Sequence, residues 1–160
     1  MSISKWFVLA AAMVMPWVAL AQGVGLGEPK RADGLAVYLS VDPSVIAQYW
    51  AQFHRSPGGE AVQQRVHPEL DRHIVVVLVD EKTGKRVGNA NIDVTLTHTA
   101  SPGRSYEYKL DLMATGANAT YGTVVTVDPT ASYRISVVVK RADQKHPTRV
   151  SFDVPANRQT

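Results

Sequence analysis

A single antiparallel β-sandwich of about seven strands is the fold this sequence predicts. Short runs of β-branched and aromatic residues recur from position 34 to position 154. Several of them alternate apolar with polar residues, as a strand with one buried face does. Clusters of Gly, Pro, Asp and Ser separate the runs at intervals of roughly ten residues. A chain of 160 residues supports one hydrophobic core, so one domain is expected. One helical pattern, near residues 43–54, adds a short helix covering the sheet.

Residues 1–21 stand apart from that domain. A basic start ending at Lys5 precedes an apolar run from Trp6 to Leu20, and Ala19-Leu20-Ala21 forms a small-residue cleavage site. The run is short for a bilayer span, and Pro16 breaks its helix ahead of the cleavage point. The segment reads as a signal peptide, so the mature chain is expected outside the cytoplasm with no membrane span. Residues 22–33, rich in glycine, read as a flexible lead-in, and residues 34–160 as the sandwich domain.

The elements follow in order. Leu35, Val37 and Leu39 mark a first strand in residues 34–41. Asp42-Pro43 resembles a helix start, the carboxylate capping free N–H groups and the proline standing where its missing donor costs nothing. Val45, Ile46, Tyr49, Trp50 and Phe53 then recur at helical spacing. Residues 55–71 form a long polar loop, which inside a compact domain marks a candidate site region. Residues 74–79 are nearly all β-branched, as in a strand buried on both faces, and Thr83-Gly84 marks a hairpin turn. Residues 90–99, 106–112, 121–127, 133–140 and 150–154 supply the remaining strands. The run Asp128-Pro-Thr-Ala-Ser-Tyr133 resembles the corner of immunoglobulin-like sandwiches, where a tyrosine hydroxyl ties back to upstream backbone.

Composition closes several chemistries. With no cysteine, disulfides, thiolate zinc sites and thiol nucleophiles are excluded. The 17 basic and 14 acidic residues are interspersed without a basic stripe, which argues against a nucleic-acid partner. No Gly-x-Ser-x-Gly elbow is present, and Asp42, Asp71, Asp80 and Glu81 sit at element ends where capping explains them, so no enzyme is expected. The imidazoles are His54, His67, His73, His98 and His146, and Met113 is the one methionine beyond the signal segment. Thioether with imidazole is a copper-type donor set. His98 continues the apolar phase of Ile92, Val94 and Leu96 and reads as a strand-end core residue, while His146 precedes a proline in a turn. His54, His67 and His73 flank or occupy the long loop, and with Met113 they form the candidate metal set.

The stretches Arg72 to Gly84, Ala90 to Val94, Met113 to Gly122 and Tyr133 to Val137 resemble small periplasmic sandwich proteins of proteobacteria linked to metal handling. More remotely they resemble the immunoglobulin-like, copper-binding accessory proteins of bacterial iron uptake. The resemblance covers about two thirds of the mature chain. In the iron-uptake family a methionine ligand is followed, seven residues on, by a histidine ligand and then Tyr-Gly. Met113 and Tyr121-Gly122 match that pattern, and Thr120 stands where the family has histidine. The resemblance implies a periplasmic location and copper as the metal to consider. Two functions follow: a non-enzymatic accessory module that binds an envelope partner without a cofactor, or a copper- or iron-handling protein using His73, Met113 and a loop histidine.

Overall fold

Pairing across the sheet runs β1-β2-β3-β6-β5-β4-β7-β8, all neighbours antiparallel. The strands are β1 (Lys30–Ala32), β2 (Leu35–Pro43), β3 (Asp71–Asp80), β4 (Ala90–His98), β5 (Ser105–Ala114), β6 (Thr120–Thr126), β7 (Tyr133–Arg141) and β8 (Thr148–Val154). The structure, a computed structural model, describes residues 27–43 and 70–156. The helical pattern at 44–54, the loop at 55–69, His54 and His67 lie outside the described residues.

The all-β antiparallel reading holds, with eight strands in place of about seven. Strands β2, β3, β6 and β5 follow the A-B-E-D order of an immunoglobulin sheet, and β4, β7 and β8 follow C-F-G. The two are not separate layers. The first part of β5 pairs with β4 from Thr97↔Ser105 to Ile92↔Leu110, and its last part pairs with β6 from Asp111↔Gly122 to Ala114↔Thr120. A strand that changes partner joins the layers into one sheet, and β1 packs near β8 to bring the outer edges together. The result lies between a sandwich and a barrel.

Several sequence boundaries move for physical reasons. Pairing begins at Lys30, inside the segment read as a lead-in, because Asp33 and Gly34 take φ of 51° and 75° and close a two-residue hairpin between Ala32 and Leu35. That left-handed pair suits the turn type whose twist matches its strands. Asp42 and Pro43 do not start a helix. They continue β2, opposite His73 and Arg72 of β3. Among the described residues the β1–β2 ladder ends at Lys30↔Val37, with the Gly27 N–H reaching the Leu39 carbonyl at 3.4 Å, and a proline, having no N–H, is tolerated on an edge strand. The turn at Asp80 to Lys85 is present, with the Gly84 N–H donating to the Asp80 carbonyl at 2.8 Å and the Thr83 N–H to Asp80 Oδ1 at 2.8 Å. It does not lead into a paired hairpin strand. After one bridge, Val79↔Arg86, the chain crosses to the other layer as β4.

The core is built from alternate positions. Leu35, Val37 and Leu39 of β2, Ile74, Val76 and Leu78 of β3, and Tyr121 and Val125 of β6 face Ile92, Val94 and Leu96 of β4 and Ile135, Val137 and Val139 of β7. Each such side chain contributes on the order of 1.5–3 kcal/mol when fully buried. The Tyr121 hydroxyl accepts the Ala90 N–H at 3.0 Å, tying β6 across to the start of β4.

The corner read from residues 128–133 is present. Tyr133, 8 % exposed, accepts the Asp128 N–H on its hydroxyl at 3.0 Å. The loop it closes is held further by Thr130, whose N–H and hydroxyl both donate to Asp128 Oδ1. Tyr133→Phe leaves that N–H without its acceptor, and we expect a loss of about 1 kcal/mol. A denaturant titration checks this: the midpoint falls with the slope unchanged, and an unmoved midpoint counts against the corner as a stabilising tie.

Candidate metal centre

His73 and Met113 meet over Gly122. Strand alternation puts Ile74, Val76, Tyr121 and Val125 inside, so His73 on β3 and Gly122 on β6 share the opposite, outer face of their layer. Met113 of β5 lies on the same face, two residues on from Asp111, the partner of Gly122, and it sits in a β-bulge. Leu112 pairs with Tyr121 and Ala114 with Thr120, leaving Met113 as the extra residue of β5. Such a bulge re-aims the side chain it carries. A Cβ built on Gly122 would lie 2.8 Å from Met113 Sδ, 2.6 Å from its methyl carbon and 2.9 Å from His73 Nε2. The thioether sulfur and the imidazole nitrogen therefore converge on the space that glycine leaves empty.

The surroundings of His73 are polar and closed. It is 2 % exposed although it faces away from the core, and it lies beside the buried Ser40, Asp71 and Arg72. Asp42 is its cross-strand partner on β2, and Ser40 donates to Asp42 Oδ2 at 3.0 Å. At the neighbouring strand end Asp71 Oδ1 accepts the Thr126 hydroxyl at 2.6 Å, and Arg72 Nη1 donates to the Asp71 carbonyl at 2.8 Å. Burial pushes the imidazole below its ordinary pKa of 6.5, and the Asp42 carboxylate pulls the other way with the smaller effect. Near neutral pH His73 is a neutral donor, the form a metal takes.

Position 120 has been turned to another use. The Thr120 hydroxyl donates to the Asn118 carbonyl at 2.8 Å and accepts from Arg86 Nη1 at 3.2 Å, and the same Nη1 lies 3.5 Å from the Ala119 carbonyl. Arg86, on the connector between β3 and β4, thus fixes the short loop with its 3-10 turn at Gly116–Asn118. At position 120 the chain thus has a hydroxyl that donates once and accepts once, with a guanidinium beside it.

Of the residues the sequence singled out, the structure brings His73 and Met113 together. His98 is elsewhere: it pairs with Tyr133, its ring edge-on to the tyrosine at 5.5 Å and 75°, as a strand-end core residue would be. Among the described residues no group of three or more His, Cys, Asp or Glu is placed to hold a metal. Gly122, Asp42 and Arg86 were missed as site residues. The Met-x7-Tyr-Gly spacing was the one signal for Gly122, and only the register of β2 against β3 reveals Asp42. A separate, open hollow of about 440 Å³ lies on the other layer, between Lys109, Asp93, Val138 and Arg149.

No protein-family model matches the sequence, and no curated protein matches it. Solved structures match its fold. FetP of uropathogenic Escherichia coli strain F11, expressed in the periplasm of E. coli BL21(DE3), superposes with a TM-score of 0.57 at 12% identity, over 81% of this chain and 92% of FetP. The chain shares their fold. A DUF4426 family protein of Pseudomonas aeruginosa PAO1 gives 0.56 at 14% identity, over 79% and 90% of the two chains. Copper-reconstituted P19 of Campylobacter jejuni gives 0.54 at 13% identity, over 84% and 96%. The remote similarity to copper-binding proteins drawn from the sequence is thus supported at the level of architecture.

Two outcomes follow from this geometry. Gly122→Ala puts a methyl group into the space the donors share. Met113 can swing aside, His73 is held on all sides, and overpacking of this kind costs roughly 1–3 kcal/mol. We expect a lower denaturation midpoint and a displaced methyl resonance for 13C-labelled Met113; an unmoved resonance would show that the donors do not meet there. The second concerns pH. Because folding lowers the His73 pKa, the unfolded chain binds the extra proton first, so the stability His73 contributes is whole above pH 6.5 and is lost as pH falls below it. Unfolding midpoints for the wild type and His73→Gln, measured from pH 7.5 to pH 5, are expected to diverge less at the acid end.

Proposed function

We propose that this chain is a non-enzymatic periplasmic copper-handling protein, an immunoglobulin-like sandwich that binds copper through His73 and Met113. The observation that carries the reading is the convergence of Met113 Sδ and His73 Nε2 on the empty side of Gly122. A thioether and a neutral imidazole are donors that suit copper and are poor for magnesium, calcium or manganese. Architecture supports it from a second direction, since copper-bound and copper-reconstituted proteins share the fold. Two donors do not complete a copper site. His54 and His67, outside the described residues, are the imidazoles we assign to complete it.

Each feature has a task in this reading. Gly122 clears the space, the Asp42 carboxylate across from His73 offsets the charge of the ion, and burial keeps water from competing for it. An ion so held is cargo for transfer, and the partner is the envelope protein that delivers or receives it.

Calorimetry with Cu(II) and competition with bicinchoninate for Cu(I) test the function. We expect at least one ion to bind more tightly than micromolar, and His73→Ala and Met113→Leu each to weaken it by about tenfold or more, a loss of ~1.4 kcal/mol. If neither ion binds more tightly than micromolar, the chain is an interaction module without a metal; if both variants bind as the wild type does, His73 and Met113 are not the donors.

A further inference from the structure

We propose that the first part of β5 is a docking edge for a second copy of this chain, the two β5 strands pairing antiparallel about a two-fold axis at Tyr108. The proposal stands apart from the copper reading and shares no residue with it.

The edge exists because β5 changes partner. From Ser105 to Leu110 it has β4 on one side and, among the described residues, no strand on the other, since pairing with β6 begins only at Asp111. Ser105, Tyr106, Glu107 and Lys109 are exposed, Tyr106 to 49 %. The phase of the ladder says which groups are left over. The His98 N–H donates to the Arg104 carbonyl at 3.0 Å, so that pair is hydrogen-bonded. By alternation Tyr106, Tyr108 and Leu110 turn their N–H and C=O groups toward β4, and Ser105, Glu107 and Lys109 turn theirs to the open side. Asp111, next in the second series, uses that same side to meet Gly122 of β6. Backbone groups lined up along an exposed edge are a template for another strand.

Side chains choose the partner and the register. Charges on an edge strand usually deter pairing, but here they alternate in sign on one face, Glu107 and then Lys109. With the axis at Tyr108, Glu107 lies opposite Lys109 of the second copy and Lys109 opposite its Glu107, both as hydrogen-bonded pairs that exchange two backbone bonds each. On the other face Tyr108 meets its own counterpart and Tyr106 meets Leu110, in the non-hydrogen-bonded positions where side chains come closest. Neighbouring charges do not upset the match: Asp93, beside Lys109 on β4, is held by Lys140 at 2.7 Å, and Asp111 falls opposite Ser105. An axis at Glu107 would set that carboxylate against itself. An axis at Lys109 would set like ammonium groups together and Glu107 against Asp111. The strand is therefore self-complementary in one register, and a two-fold contact of this kind closes at the dimer.

A ladder this short covers less than a standard interface of about 1,600 Å², so the dimer is expected to be weak, with a dissociation constant of about 10–100 μM. Sedimentation equilibrium of the mature chain from about 5 μM to 1 mM at low salt reads it directly. Glu107→Lys and Lys109→Glu each place like charges opposite one another twice, and each is expected to weaken the dimer by about tenfold or more. Both positions are exposed, so neither change touches the core. Mixing the two variants in equal amounts restores opposite charges at every such pair and is expected to restore dimers to the wild-type level, a rescue that a misfolded variant could not give. Hydrogen exchange supplies a second reading: the Glu107 and Lys109 amides gain protection as protein concentration rises, while Tyr108, already bonded to β4, does not. A monomer at every concentration overturns the proposal. So does a dimer that both single variants leave unchanged, or one that mixing them fails to restore.

Discussion

Strand β5 cannot hydrogen-bond along its whole length to one neighbour, and much else depends on that. Its first part is the partner of β4 and its last part the partner of β6, so it must turn between two layers whose strands run in different directions. The change of partner falls between Leu110 and Asp111, and a little further on, at Met113, a bulge leaves one residue out of the ladder. By alternation residue 113 lies on the face of Asp111, the cross-strand partner of Gly122. Left unpaired there, its thioether lies over Gly122. The strand that joins the two layers also carries the candidate thioether donor.

The strands could be read from the sequence because they obey local rules. Alternation of Ile92, Val94 and Leu96, or of Ile135, Val137 and Val139, reports a buried face directly, and the tyrosine at 133 announces its corner through the spacing to Asp128. What escaped depends on partners far along the chain. Asp42-Pro43 carries a strong local helix-start signal, yet pairing with His73 and Arg72 decides its conformation, as tertiary context does whenever it can bury and bond a segment. Both members of the candidate pair were legible for a plain reason: a lone methionine and a histidine at the head of a buried strand are rare enough to notice. Gly122 was not, since a glycine's role here is the volume it does not fill. Arg86 was not either, since its contact with Thr120 joins positions 34 residues apart.

The electrostatics of the site are those of a place that tolerates little charge. His73 is pushed toward its neutral form by burial, and Asp42 opposes this only in part. Desolvation opposes protonation of the ring, so burial favours the neutral imidazole.

The core and the candidate donors use opposite faces of the same strands. On β3 the core takes Ile74, Val76 and Leu78, and the site takes His73 from the other side. On β6 the core takes Tyr121 and Val125, and the site takes Gly122. Because side chains alternate, a change at a site position leaves every core contact of its neighbours in place. That separation lets side chains on the outer face vary while the architecture is kept, as it is at 12% identity to FetP. It also means that lost binding at His73 or Met113 reports on the donors themselves, since the packing that holds the sheet together lies on the far side of the backbone.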